Sequence, residues 1–123
     1  MATQTKTGTK AYTIDASGRS LGRVASEAAH ILTGKNSVAY AKHLMPDVTV
    51  TITNASKVSI PEKTRANKVY KRFSQYPGGL KLEKLENLAE RRGIEVIILH
   101  AVRGMIPNNR LRPNILKRLS IVK

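Results

Sequence analysis

The chain has 123 residues, 41% of them hydrophobic, and a formal charge of +14. That length suits one domain with one core, and that hydrophobic fraction excludes a disordered basic tail. Without cysteine there is no disulfide framework or thiolate metal site, and no apolar run approaches the roughly 18 residues of a membrane-spanning helix.

Residues 1–11 read as a flexible arm, rich in Thr and Lys, with no apolar centre of the secretory-signal kind. Residues 12–123 read as a single domain, without linker or repeat. Tyr12-Thr13-Ile14 is a short strand running into Asp15-Ala16-Ser17-Gly18, which has turn chemistry. From Leu21 the apolar positions 21, 24, 25, 28, 31 and 32 make a helical stripe. Ser20 is its N-cap and Gly34 its C′ residue. Val48, Val50 and Ile52 alternate with Thr49, Thr51 and Thr53, the period of a strand. Asn54-Ala55-Ser56 turns, Lys57 to Ile60 forms a second short strand, and Pro61 stops it. Residues 63–81 are basic and acid-free, with a turn signal at Tyr76-Pro77-Gly78-Gly79. Leu82, Leu85, Leu88 and Ala89 resume a helical stripe, which Gly93 ends. Its mixed charges, Glu83, Glu86 and Glu90 among Lys84, Arg91 and Arg92, describe a solvated face. Ile94 to Val102 is short enough to be strand or buried helix; positions 97, 98, 101, 102 and 105 fit a helix better. Gly104-Met105-Ile106-Pro107-Asn108-Asn109 breaks the pattern. Leu111, Ile115, Leu116 and Leu119 suggest a last short helix, with a final strand near Leu119 to Val122. This order argues for an α/β fold with a small, largely parallel sheet, the first helix serving as a crossover.

Catalytic chemistry finds little support. His30, His43 and His100 are far apart, and His30 and His100 read as structural. Asp15 and Asp47 are isolated carboxylates, and there is no nucleophile elbow. Gly18-Arg19-Ser20-Leu21-Gly22-Arg23 sits where a nucleotide-binding fold would put its phosphate loop. It lacks both the Gly-x-Gly-x-x-Gly pattern and a Walker lysine-serine pair, so a tight turn is the better reading. No metal, cofactor, small-molecule substrate or membrane is expected. A nucleotide-binding enzyme is the less favoured alternative.

The positive excess falls in three clusters: Arg19, Arg23 and Lys35; residues 63–81; and residues 103–123. Two of these contain no acid, whereas four glutamates gather at Glu83, Glu86, Glu90 and Glu95. Solubility alone does not require such segregation; a side turned toward a polyanion does. No helix-turn-helix or zinc-finger pattern points to duplex DNA, and no aromatic platform to single-strand reading. Shape recognition of folded RNA remains.

Ile14-Asp15-Ala16, Leu21-Gly22-Arg23-Val24-Ala25-Ser26, Gly34-Lys35 and Val50-x-Ile52-x-Asn54-Ala55 resemble the opening of the L-thirteen family of large-subunit ribosomal proteins. Lys68-x-Tyr70, Tyr76-Pro77-Gly78-Gly79-Leu80-Lys81, Ala101 to Asn109 and Arg118-Leu119 continue the series in order. The Tyr-Pro-Gly-Gly segment resembles the bacterial branch. The resemblance implies a three-layer α/β/α fold with a four-stranded parallel sheet, binding to 23S-type rRNA, and support of early large-subunit assembly in the cytoplasm. Neighbouring large-subunit proteins are the other expected partners. A non-ribosomal RNA-binding regulator is the alternative reading of the same surface. The expected RNA contacts are Arg19, Arg23 and Lys35 beside the first helix. Lys68, Lys71, Arg72, Tyr76, Gly78, Gly79 and Lys81 follow in the loop region. Arg103, Gly104, Asn108, Asn109, Arg110, Arg112, Lys117 and Arg118 surround the break, where Met105 and Ile106 are read as packing residues. Tyr12 stands where the family often has Trp, Met45-Pro46-Asp47 replaces a Gly-Asp strand entry, and Pro61-Glu62 replaces a Thr-Gly turn. The sequence stops at Lys123, before the family's customary His-Pro-containing tail, which puts that tail's contacts in doubt.

Overall fold

The computed structural model describes residues 10–38 and 40–123. The expected N-terminal arm lies outside the described residues except for Lys10 and Ala11, which begin strand β1 (Lys10–Asp15). Helix α1 (Leu21–Leu32) crosses over to β2 (Val48–Thr53), which pairs with β1 in parallel. On the other side of β2 lies β5 (Leu119–Ile121), again parallel, giving the order β1-β2-β5.

Helix α1 buries Val24, Ala25, Ala28, Ala29, Ile31 and Leu32, the stripe its spacing predicts. Ser20 has the extended N-cap conformation, but its hydroxyl makes no capping bond. The C-terminus is closed more firmly. The Gly34 N–H donates to Ile31 O at 3.0 Å and the Lys35 N–H to His30 O at 3.2 Å, the double closure of a left-handed helix end. Gly34 has φ +79°, and a Cβ there would lie 2.9 Å from Pro46 Cβ. The turn after α1 therefore rests on the loop that enters β2.

One face of the sheet carries Ile14, Val50 and Ile52, all buried. Helix α1 packs on β2 and against α4 (Ile94–Met105), which buries Ile97, Ile98 and Val102. The opposite face carries hydroxyls. Thr49, Thr51 and Thr53 are half-buried, and Thr13 and Ser120 are exposed. The α/β class and the parallel sheet match expectation, and two details differ. The parallel sheet has three strands among the described residues, and Lys57 to Ile60 contributes a single parallel bridge, Ser59 to Ser20, in place of a strand.

The acid-free stretch after Pro61 holds more structure than its turn signal suggests. A short helix α2 (Glu62–Asn67) leads into a hairpin of β3 (Val69–Phe73) and β4 (Leu80–Lys84). The helical stripe read from Leu82 begins three residues later, as α3 (Leu85–Arg92). Leu82 belongs to β4 and is 62% exposed. Helix α4 runs on through Gly104 to Met105, so the chain breaks at Ile106 and not at the glycine. Ile106 is extended (φ −86°, ψ 140°), the backbone a following proline favours. Helix α5 (Arg112–Leu116) then leads into β5.

Candidate nucleic-acid interface

Arg19, Arg23 and Lys35 line one groove with Glu27, His30 and Met105. The Arg19 guanidinium pairs with Glu27 at 2.6 Å, so part of its charge is spent there. Arg23 and Lys35 make no ion pair among the described residues. The turn ahead of α1 is closed by backbone hydrogen bonds, two of them to the segment at residues 57–59. The Gly18 N–H donates to Lys57 O, the Arg19 N–H to Ala16 O and the Leu21 N–H to Ser59 O. A phosphate loop needs such donors unengaged, so this turn serves the fold. Met105 is 47% exposed and belongs to this groove, contrary to the packing role expected of it; Ile106 is buried as expected.

The hairpin distributes its residues by strand alternation. Tyr70 pairs with Glu83 and Arg72 with Lys81 on one face; Lys71 pairs with Leu82 and Phe73 with Leu80 on the other. The first face is fastened to the body. Tyr70 stacks on His100 of α4 with ring centroids 5.2 Å apart, and Lys68 Nζ lies 5.8 Å from the Tyr70 ring. Glu83 accepts two hydrogen bonds from Arg91, both 2.8 Å, with Arg72 at 3.7 Å. The Arg91 hydrogen bond holds the Glu83 carboxyl below its ordinary range. The second face is open: Phe73 is 61% exposed and Leu80 58%. Gly78 has φ +73°, and a Cβ on Gly79 would strike the Ser74 hydroxyl and come within 2.9 Å of Tyr76 O. These glycines are required by the hairpin's own loop, a sufficient reason for them apart from any approach to RNA. Tyr76 projects from that loop, 75% exposed.

At the break after α4, the Asn109 N–H donates to Pro107 O at 3.0 Å, and Asn109 Oδ1 accepts the Leu111 N–H at 3.0 Å. These bonds turn the chain into α5. A groove forms between the two helices, bringing together Arg103, Asn108, Asn109, Arg112 and Lys117 from the expected set. Leu99, His100, Pro113 and Leu116 complete it. Burial, then Arg103, Arg92 and Arg72, lower the proton affinity of His100. Sequence reading missed Leu99 and His100. The usable signal was the three-residue spacing from His100 to Arg103, which places both on one side of a helix.

Three expected contacts fall elsewhere. Gly104 lies within α4, and Arg110 is exposed beside the groove without lining it. Arg118 is committed to the fold. Its Nη1 donates to Pro46 O at 2.6 Å and to Asp47 Oδ1 at 3.2 Å, pinning the entry to β2. Several carboxylates are matched by cations: Glu27, Asp47, Glu83 and Glu95 each face one. Asp15 accepts from Asn54 and from the Ser17 N–H, which lowers its proton affinity. With 22 basic and 8 acidic residues, most cations have no carboxylate to face. All three clusters touch α4, through Met105, His100 and Arg103.

Among the described residues no three His, Asp or Glu gather as a metal site, and no helix is long and apolar enough to cross a membrane. A small α/β domain whose cations gather in open grooves presents the surface of a polyanion-binding protein. Residues 9–123 match the family model described as Ribosomal protein L13, and the chain belongs to that family. It is similar to the large ribosomal subunit protein uL13 of Microcystis aeruginosa, 44% identical over 112 residues, covering 91% of this chain and 74% of that protein. The uL13 of Thermosynechococcus vestitus is 43% identical over 110 residues, 89% of this chain and 72% of its own. That of Caldanaerobacter subterraneus is 41% identical over 114 residues, 93% and 79% respectively.

Proposed function

We propose that the protein is a structural constituent of the large ribosomal subunit that binds its rRNA and supports early assembly in the cytoplasm, without catalysis. The observation that carries this reading is the groove beside α5, where three cations meet without a carboxylate in a chain of the L13 family. Its mechanism is charge neutralisation and shape. Arg23 and Lys35 meet phosphates beside α1, and Arg103, Arg112 and Lys117 meet them beside α5. Lys71 and Lys81 add to the hairpin contact, and neighbouring subunit proteins complete the environment. Each neutralised phosphate releases counterions, so affinity falls steeply with salt. Sucrose-gradient fractionation tests the assignment. The protein is expected to sediment with large subunits at moderate salt; sedimentation away from them overturns the ribosomal reading.

A further inference from the structure

The groove between α4 and α5 carries a second chemistry that a phosphate-binding surface does not need. Beside its cations it exposes apolar surface: Leu99 is 38% exposed, and Pro113 and Leu116 lie with it. The His100 ring, backed by Tyr70, is also part of the lining. Burial and three nearby arginines keep this imidazole uncharged near neutral pH, so it offers a flat ring and not another cation. Duplex RNA presents phosphates and sugar hydroxyls outward, with its base faces stacked away. It would satisfy the cations and leave the apolar lining facing water.

An unpaired nucleotide satisfies both chemistries. Its base has an apolar face, and its phosphates lie one sugar away. The groove is open to solvent and offers about 520 Å³, within the range of roughly 300–1,000 Å³ typical of small-ligand sites. Two amides stand at hand for the base edge. Asn109 Oδ1 is engaged by the Leu111 N–H, which leaves its NH2 as a donor. The Asn108 side chain makes no hydrogen bond among the described residues.

We propose that this groove receives a single unstacked rRNA nucleotide, its base against Leu99, His100 and Leu116 and its phosphates on Arg103, Arg112 and Lys117. The inference rests on the RNA-binding reading and adds the form of RNA taken.

The test uses the full chain and three RNA hairpins: a perfect stem, the same stem with one bulged nucleotide, and that stem with the bulge made abasic. Fluorescence anisotropy at moderate salt should show the bulged stem binding about tenfold tighter than the perfect one, the scale of one base-stacking contact. The abasic stem should lose that gain. Leu99→Ser, a change at a partly exposed position, should abolish the preference for the bulged stem over the perfect one, with circular dichroism confirming the fold. Equal binding of perfect and bulged stems, or an abasic stem that keeps the gain, overturns the nucleotide site alone. Binding to none of the three, together with failure to bind intact large-subunit rRNA, overturns the RNA-binding reading with it.

Discussion

The two acid-free stretches, residues 63–81 and 103–123, look alike as sequence and differ as surfaces. In the first, the hairpin spends part of its charge on itself. Arg72 leans toward Glu83, Lys68 lies by the Tyr70 ring, and the open face is led by Phe73, Leu80 and Leu82. In the second, Arg103, Arg112 and Lys117 converge on one groove, while Arg118 is drawn into the fold and Lys123 pairs with Glu95. Charge density along a chain therefore says how much positive potential exists. The pairing of elements says where that potential points.

The largest expected effect separates the two regions by stability. Ile98 is fully buried in α4, and Ile98→Ala should cost about 2–5 kcal/mol in urea denaturation. Leu82→Ala, on the hairpin's open face, should stay within about 0.5 kcal/mol. Comparable losses would mean that the hairpin face is covered.

Next comes RNA affinity. Reversing Arg103, Arg112 and Lys117 to Glu together should weaken rRNA binding about a hundredfold at moderate salt and reduce the salt slope by about 2–3. The same reversal at Lys71, Arg72 and Lys81 should cost about tenfold, because part of that charge is already engaged. Filter binding across a salt series reads both, with circular dichroism confirming folding. A greater loss from the hairpin triple would invert the comparison.

A smaller effect concerns the hairpin's fastening. Glu83→Gln removes the charged partner of Arg91 and Arg72, so amides of β3 and β4 should exchange faster while those of α1 do not change. Unchanged exchange in the hairpin would show that the Tyr70–His100 stack holds it without help.

The smallest expected effect is a pH slope. His100 has a lowered proton affinity in the fold, so the unfolded chain takes up its proton first. Stability is then full above the ordinary imidazole value of about 6.5 and falls as pH drops through it toward the folded-state value. His100→Gln should flatten that slope. Glu83 is also lowered, so its contribution is present above the ordinary carboxylate value of about 4.3 and is lost as pH falls below it toward the folded-state value. A slope near neutrality that survives His100→Gln would assign it to another group.

The opening β1-α1-β2 unit was legible because each element carries an unambiguous period and α1 ends on Gly34. The hairpin was hidden for two reasons. Leu82, Leu85 and Leu88 have helical spacing although Leu82 sits in a strand, and Val69 to Phe73 shows no clean apolar alternation. Its placement against the body rests on a long-range contact, Tyr70 with His100. The candidate site divides in the same way. Arg103, Asn108, Asn109, Arg112 and Lys117 were named from charge and from the break and do converge; Leu99 and His100 resembled core, and Arg118 resembled one more RNA contact.

The sequence by itself determined the cationic excess, the parallel α/β opening, the helical character of α4 and, through its motifs, the family. These follow from local periodicity, turn chemistry and composition, each readable within a few residues. Tertiary structure alone decided which cations act together and which are spent inside. That outcome depends on the bend at Ile106-Pro107, which brings α5 beside α4, and on β2, whose entry captures Arg118. Side-chain pairs separated by many residues meet only when the core fixes the angle between their elements.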